Sequence, residues 1–150
     1  MDIRYFDNAA TTRIKEEVLE EMFPYLSLEY GNPSSIYGLG RKSKKAIDIA
    51  RNRVARLINC NASEITFTSC GSESDNMALK GMALLQKFRN TGKNHLITSK
   101  IEHPAILNSC NTLEKLDFKV TYIDVDRNGF INLDNLVNSI TDKTFLISIM

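Results

Sequence analysis

The sequence has 150 residues, of which 43% are hydrophobic and 25% charged, a balance that supports a folded core and excludes a wholly disordered chain. Nineteen basic and eighteen acidic side chains give a net charge of +1, so we expect no nucleic-acid partner, because such proteins usually carry a basic excess. Without a long apolar run, a signal-peptide pattern or closely spaced cysteines, the sequence predicts a cytoplasmic protein with no membrane span.

The first half of the chain predicts three helices between polar turns. Serines of the turn at 31–35 are placed to cap the second helix, and Pro24 is expected to end the first. In chain order, these elements are a short strand at 4–6, a helix from Ile14 to about Pro24, a helix at about 42–58, a strand at 65–68 and a helix at 71–88.

The second half predicts strands that alternate with helices. The elements are a strand at 95–98, a helix at 104–116, a strand at 118–123, a short helix at 133–139 and a strand at 145–150. Such alternation is typical of βαβ units. The sequence therefore predicts the α/β class with a largely parallel sheet.

The first candidate site is the junction between the strand at 65–68 and the helix that follows it. Gly71 and Ser72 open this helix, whose first amide N–H groups lack intrahelical acceptors and favour an anion. Gly71 has no side chain to keep an oxyanion away, and Ser72 adds a hydroxyl donor, which together predict a phosphate cradle. The alternative is an ordinary helix start in which Ser69 or Ser72 caps its own backbone.

The second candidate site is His103, which precedes Pro104 at the expected start of a helix. The position lies at the carboxyl end of a strand, where ligands bind in open α/β sheets. An imidazole there can stack on a flat ligand or move a proton near neutral pH. The alternative is a histidine that only caps its helix. His95, at the opposite end of the strand, is given no role.

No metal site is predicted, although residues 124–135 resemble a calcium loop. The twelfth position is Asn135, which lacks the bidentate carboxylate that a calcium loop needs. A turn at Asn128–Gly129 explains the same residues.

Four segments resemble, in order and spacing, the pyridoxal-phosphate cysteine desulfurases of the NifS/IscS type, in the class V aminotransferase superfamily. These segments are 5–12, 31–35, 69–76 and 99–103. The resemblance implies part of the large, mixed or mostly parallel sheet domain of the fold-type I pyridoxal-phosphate transferases, incomplete at its carboxyl end. Residues 1–12 would pack near the active site, and residues 13–150 would form the amino-terminal part of the cofactor-binding domain.

The resemblance also implies roles for three residues. Gly71 and Ser72 would bind the phosphate of pyridoxal 5'-phosphate, and His103 would stack on its ring and take part in proton transfer. The implied reaction converts L-cysteine to L-alanine and leaves persulfide sulfur on the enzyme, for iron–sulfur cluster or thio-cofactor assembly. The implied partners are a sulfur-acceptor protein and a second copy of the chain in a homodimer.

The sequence also departs from the family pattern. Ser72 stands where many relatives carry threonine, which keeps the hydroxyl, and no histidine occurs near Tyr37. In the family the Schiff-base lysine, the aspartate facing the pyridine nitrogen and the persulfide cysteine lie further along the chain. The 150 residues alone are therefore expected to be inactive. The alternatives are a selenocysteine lyase or other class V enzyme, and a non-catalytic module that binds phosphate ligands or partner proteins.

Overall fold

A computed structural model describes residues 4–150, and it divides the chain into two compact units. The first unit extends to Thr66, and the second covers Phe67–Met150. The three residues that begin the predicted 1–12 segment lie outside the described residues. Within 4–150, no helix is long and apolar enough to cross a membrane.

The first unit contains helices α1 (Glu16–Ser27) and α2 (Gly38–Leu57) and a single 3-10 turn at Ala62–Glu64. The prediction that Pro24 ends α1 is wrong, because the helix continues to Ser27. Proline fixes a φ angle that a helix can adopt, and although it lacks an N–H donor and crowds the carbonyl four residues earlier, it disfavours a helix interior without forbidding it. The helix ends where the N–H groups of Leu28 and Glu29 both donate to the Pro24 carbonyl, at 2.8 Å.

The turn at 31–35 packs against the start of α2 instead of capping it. The predicted serine cap is wrong: Tyr37 is the N-cap residue and makes no side-chain cap bond. Asn32 shapes the turn, since its Oδ1 accepts from the Ser34 N–H at 2.9 Å. A Cβ at Gly40 would lie 2.5 Å from the Asn32 carbonyl oxygen, so the close approach of turn and helix requires glycine there.

The strands predicted at 4–6 and 65–68 are absent from the sheet of the described chain. A strand exists through its ladder of backbone hydrogen bonds to a neighbour. Ile65 does have an extended backbone, but its carbonyl accepts from the Arg51 guanidinium of α2. The β-branched and aromatic pattern thus gave the right local conformation at Ile65 and the wrong pairing.

The second unit alternates helices and strands, which confirms the α/β class. Its elements are α3 (Gly71–Phe88), β1 (His95–Ser99), α4 (Pro104–Glu114), β2 (Lys119–Ile123), α5 (Leu133–Ser139) and β3 (Thr144–Ser148). The strands pair in parallel in the order β2-β1-β3. All five residues of the central strand β1 are buried, as expected for a parallel strand covered on both faces.

Apolar side chains of α3, α4 and the sheet form the core of the second unit. The buried members are Leu79, Ala83, Leu96, Ile106, Cys110, Leu113 and Phe118. The Phe118 ring meets Phe145 edge to face, with centroids 5.8 Å apart. This core packs α3 against α4 and fixes β1 beneath them. The loop after β1 and the first turn of α4 therefore start from a rigid base.

Candidate functional site

The amino terminus of α3 presents backbone donors with no acceptor among residues 4–150. The helix begins at Gly71 after an extended Cys70, which makes no side-chain cap bond. No hydrogen bond within the described chain uses the N–H groups of Gly71, Ser72 or Glu73. Such free amides at the positive end of a helix favour an anion.

The alternative interpretation of the sequence was that Ser69 or Ser72 caps this terminus. Neither serine does so. The Ser69 hydroxyl and the Ser69 N–H both donate to Glu73 Oε2, at 2.7 and 2.6 Å. These two hydrogen bonds, the hydroxyl contributing more than the N–H, stabilise the charged carboxylate and lower the pKa of Glu73. Glu73 therefore holds the preceding loop in place and leaves the helix amides open.

The space around Gly71 and Ser72 fits the phosphate of pyridoxal phosphate. A Cβ built on Gly71 would find no other atom within 4 Å, so the cradle is open where an oxyanion would enter. The exposed Ser72 hydroxyl has no hydrogen-bond partner among the described residues. Amide N–H groups and a hydroxyl form a donor set suited to phosphate.

His103 is the N-cap residue of α4, as predicted. Its Nδ1 accepts from the Ala105 N–H at 3.1 Å, and Pro104 occupies the first helical position. Because Nδ1 is the acceptor, the neutral ring carries its proton on Nε2. The side chain is exposed, so capping uses one nitrogen and leaves the ring face and Nε2 available to a ligand.

Ser72 and His103, one residue from each candidate junction, line the same groove. The groove has a volume of about 360 Å³ and lies between α3 and α4. It is lined by Ser72, Asn76 and Lys80 from α3 and by His103, Ala105 and Ser109 from α4, among others. The packing of α3 against α4 thus brings together a free hydroxyl beside a helix terminus and an exposed imidazole.

Glu102 is a buried carboxylate within segment 99–103, and no role was predicted for it. Only 7% of the residue is exposed. Its Oε1 accepts from the Ser99 hydroxyl at 2.9 Å and from the Met150 N–H at 2.7 Å. It therefore ties the loop before His103 to the chain that follows β3. The sequence signal was an acidic residue three positions after the end of a buried strand.

His95 and Cys110 are both buried and lie outside the groove. His95 is buried, and its two ring nitrogens meet the hydroxyls of Thr144 and Thr121 at 2.8 and 2.9 Å. Cys110 lies in the core, and burial, with smaller contributions from Glu114 and Glu102, raises the pKa of its thiol to about 11. Neither residue lines the groove between α3 and α4.

The turn at 126–130 is confirmed. Asp126 Oδ1 accepts from the N–H groups of Asn128 and Phe130, at 2.8 and 2.9 Å. Gly129 has a φ of 87°, which suits glycine at a tight turn. Across residues 4–150, no group of three or more His, Cys, Asp or Glu side chains is arranged to hold a metal ion.

A parallel α/β unit in which an open helix terminus and an exposed imidazole lie at one groove has a site suited to an anionic ligand. Comparison with known families gives the assignment: the family model Aminotransferase class-V matches residues 4–150, and the chain belongs to this family. Pyridoxal phosphate is the cofactor of the family.

Curated relatives and solved structures agree with that assignment. The chain is 51% identical over 146 residues to the cysteine desulfurase IscS of Clostridium botulinum (strain Kyoto / Type A2), and the match covers 97% of the chain and 36% of that relative. A match of 51% identity to IscS of Methanosarcina thermophila covers 97% and 35%. The chain thus spans about a third of the length of these curated relatives.

Two solved structures share the fold over nearly the whole chain. A NifS-like protein superposes with a TM-score of 0.91 at 42% identity, covering 97% of the chain and 39% of that structure. SspA in complex with cysteine gives a TM-score of 0.90 at 41% identity, covering 98% and 42%. The predicted resemblance to the NifS/IscS type is therefore confirmed.

Proposed function

We propose that these 150 residues work as the amino-terminal part of a pyridoxal-phosphate cysteine desulfurase. The observation that carries the proposal is the groove shared by Ser72 and His103. The similarity to proteins named cysteine desulfurase IscS supports the activity, and the similarity to SspA, solved with cysteine, supports L-cysteine as the substrate.

In this proposal, each site residue has a defined role toward the cofactor. The Gly71 and Ser72 amides and the Ser72 hydroxyl bind the phosphate. His103 would stack on the pyridine ring, oriented by its bond to the Ala105 N–H. Its Nε2–H is a hydrogen-bond donor, and the ring can take up a proton only when Nδ1 releases the Ala105 N–H. When bound, pyridoxal phosphate supplies an electron sink for the amino acid carbons.

The net reaction transfers the sulfur of L-cysteine and leaves alanine. The Cβ–S bond of cysteine breaks, a proton replaces sulfur on that carbon, and the sulfur joins an enzyme thiol as a persulfide. A sulfur-acceptor protein then takes the sulfur for iron–sulfur cluster or thio-cofactor assembly. We further propose that the complete polypeptide works as a homodimer in the cytoplasm.

The test uses the complete polypeptide that carries this segment. Incubated with pyridoxal phosphate, L-cysteine and a thiol reductant, it should bind the cofactor and release alanine and sulfide in equal amounts. Ser72→Ala should weaken cofactor affinity by about tenfold or more, as expected for a lost hydrogen bond to a charged group, and Ser72→Thr should restore it.

Controls separate the proposal from its alternatives. Ser139→Ala removes a serine hydroxyl from α5, outside the groove, and should leave cofactor affinity unchanged. Rapid turnover of L-selenocysteine with none of L-cysteine would indicate a lyase instead. A polypeptide that binds the cofactor and releases neither sulfide nor selenide would contradict catalysis of this class.

A further inference from the structure

A polar pair between α3 and α4 links the two halves of the groove. Asn76 Nδ2 donates to the Ser72 carbonyl at 2.7 Å. Asn76 Oδ1 accepts from the Ser109 hydroxyl at 2.9 Å, and this hydroxyl also lies 2.7 Å from the Ala105 carbonyl. The Ala105 N–H donates to His103 Nδ1. A continuous path of polar contacts therefore runs from Ser72 to His103.

The orientation of the Asn76 amide follows from its neighbours. Turned around, Oδ1 would face the Ser72 carbonyl oxygen at hydrogen-bond distance, and two acceptors would repel each other. Ser109 is only 1% exposed, and a hydroxyl buried to that degree needs partners. Both residues thus have one favourable arrangement, in which the amide spans the two helices.

The hydrogen bond between Asn76 and Ser109 adds a directional contact between α3 and α4, which the apolar core does not provide. Contacts among Leu79, Ala83, Cys110 and Leu113 hold α3 and α4 together, but apolar attraction is non-directional. Hydrogen bonds restrict both distance and angle. Because Asn76 and Ser109 lie in the lining of the groove itself, their contact fixes the offset of the two helices where Ser72 and His103 must act together.

We infer that Asn76 and Ser109 are positioning residues that set the placement of the phosphate-binding turn relative to the His103 ring. The inference rests on the proposed function, because it assigns the pair to the cofactor site. Neither residue is expected to touch the reacting atoms. Asn76 acts through the Ser72 backbone, and Ser109 acts through the first turn of α4.

The experiment is a double-mutant cycle in the complete polypeptide with Asn76→Ala, Ser109→Ala and the double variant. Each single variant should weaken pyridoxal-phosphate affinity by about fivefold, the usual loss for one hydrogen bond. The double variant should also lose about fivefold, because either change breaks the same path. The visible circular dichroism of the bound cofactor should change in all three, since it reports the orientation of the ring.

The matched control is Ser139→Ala. The Ser139 hydroxyl lies 2.7 Å from the carbonyl oxygen four residues earlier, as the Ser109 hydroxyl does, but on α5. It should change neither affinity nor dichroism. If Ser109→Ala lowers the yield of folded protein, Asn76→Ala, at a half-buried position, provides the same readouts.

Two results would overturn the inference: losses in the double variant that equal the product of the single losses, or a dichroism spectrum unchanged in every variant. Failure of the proposed function is recognised separately, as a wild-type polypeptide that binds no pyridoxal phosphate. In that case, melting temperatures of the same four proteins without cofactor still test the contact, and additive shifts would show that the two side chains are not coupled.

Discussion

His103 allows its two roles, helix cap and ring partner, to be separated by substitution. In the cap role, Nδ1 accepts one hydrogen bond from the Ala105 N–H at 3.1 Å. Removing an N-cap acceptor typically costs about 1 kcal/mol. In the ring role, the imidazole stacks on the pyridine ring of the cofactor. Three substitutions remove these roles in different combinations.

His103→Ala removes both roles. Loss of about 1 kcal/mol from the cap corresponds to about fivefold faster amide exchange in the first turn of α4. Loss of an aromatic stack, which is worth about 1 kcal/mol, weakens cofactor affinity by a similar factor. His103→Asn restores the cap, because asparagine is a strong N-cap residue, but not the ring. His103→Phe restores a flat ring but neither the cap nor the proton.

The assays are hydrogen exchange of the α4 amides and titration with pyridoxal phosphate, both in the complete polypeptide. In His103→Asn, we expect amide exchange at the wild-type rate and weakened cofactor binding. In His103→Phe, we expect faster amide exchange and cofactor binding close to that of wild type. The phenylalanine variant should also turn over slowly, because it has no proton at the Nε2 position. Recovery of both exchange and cofactor affinity in His103→Asn would show that the residue only caps its helix.

Three further predictions test other parts of the structure. Gly71→Ala should leave the unfolding free energy within about 0.5 kcal/mol of wild type, because its Cβ meets no atom within 4 Å. Cofactor affinity should nevertheless fall in titrations, because the added methyl group blocks the phosphate. Burial, and secondarily Lys119, lowers the pKa of His95 from 6.5. The contribution of the neutral ring to stability is therefore complete above pH 6.5 and is lost as the pH falls through the lowered pKa. Urea unfolding midpoints measured between about pH 7 and 5 should fall less in His95→Gln than in wild type. Cys110, with a thiol pKa of about 11, should resist alkylation at neutral pH until unfolding, and modification of the native protein there would contradict the placement of this thiol in the core.

The sequence predicted the second unit better than the first. Helix α3 was predicted with its observed bounds, Gly71–Phe88, because its start was marked by a glycine after small polar residues and its apolar face was broad. His103 was placed at the N-cap because Pro104 favours the first helical position. These are local signals that the tertiary structure leaves unchanged.

The missing ladder at 65–68 and the two overlooked polar residues have a common physical origin in contacts distant along the chain. The residue pattern at 65–68 favours a strand, but no local signal specifies whether a neighbour completes the ladder. Asn76 and Glu102 act through partners 33 and 48 residues away, and no spacing rule connects residues so far apart. The placement of residues 1–12 near the cofactor stays a prediction.

The central claim is that the start of α3 binds the phosphate while His103 contacts the ring. A crystal structure of the complete polypeptide with pyridoxal phosphate tests it most directly. The proposal predicts phosphate oxygens at about 3 Å from the Ser72 amide and hydroxyl, and the pyridine ring stacked on the His103 imidazole. Phosphate bound elsewhere, or a ring away from His103, would contradict it.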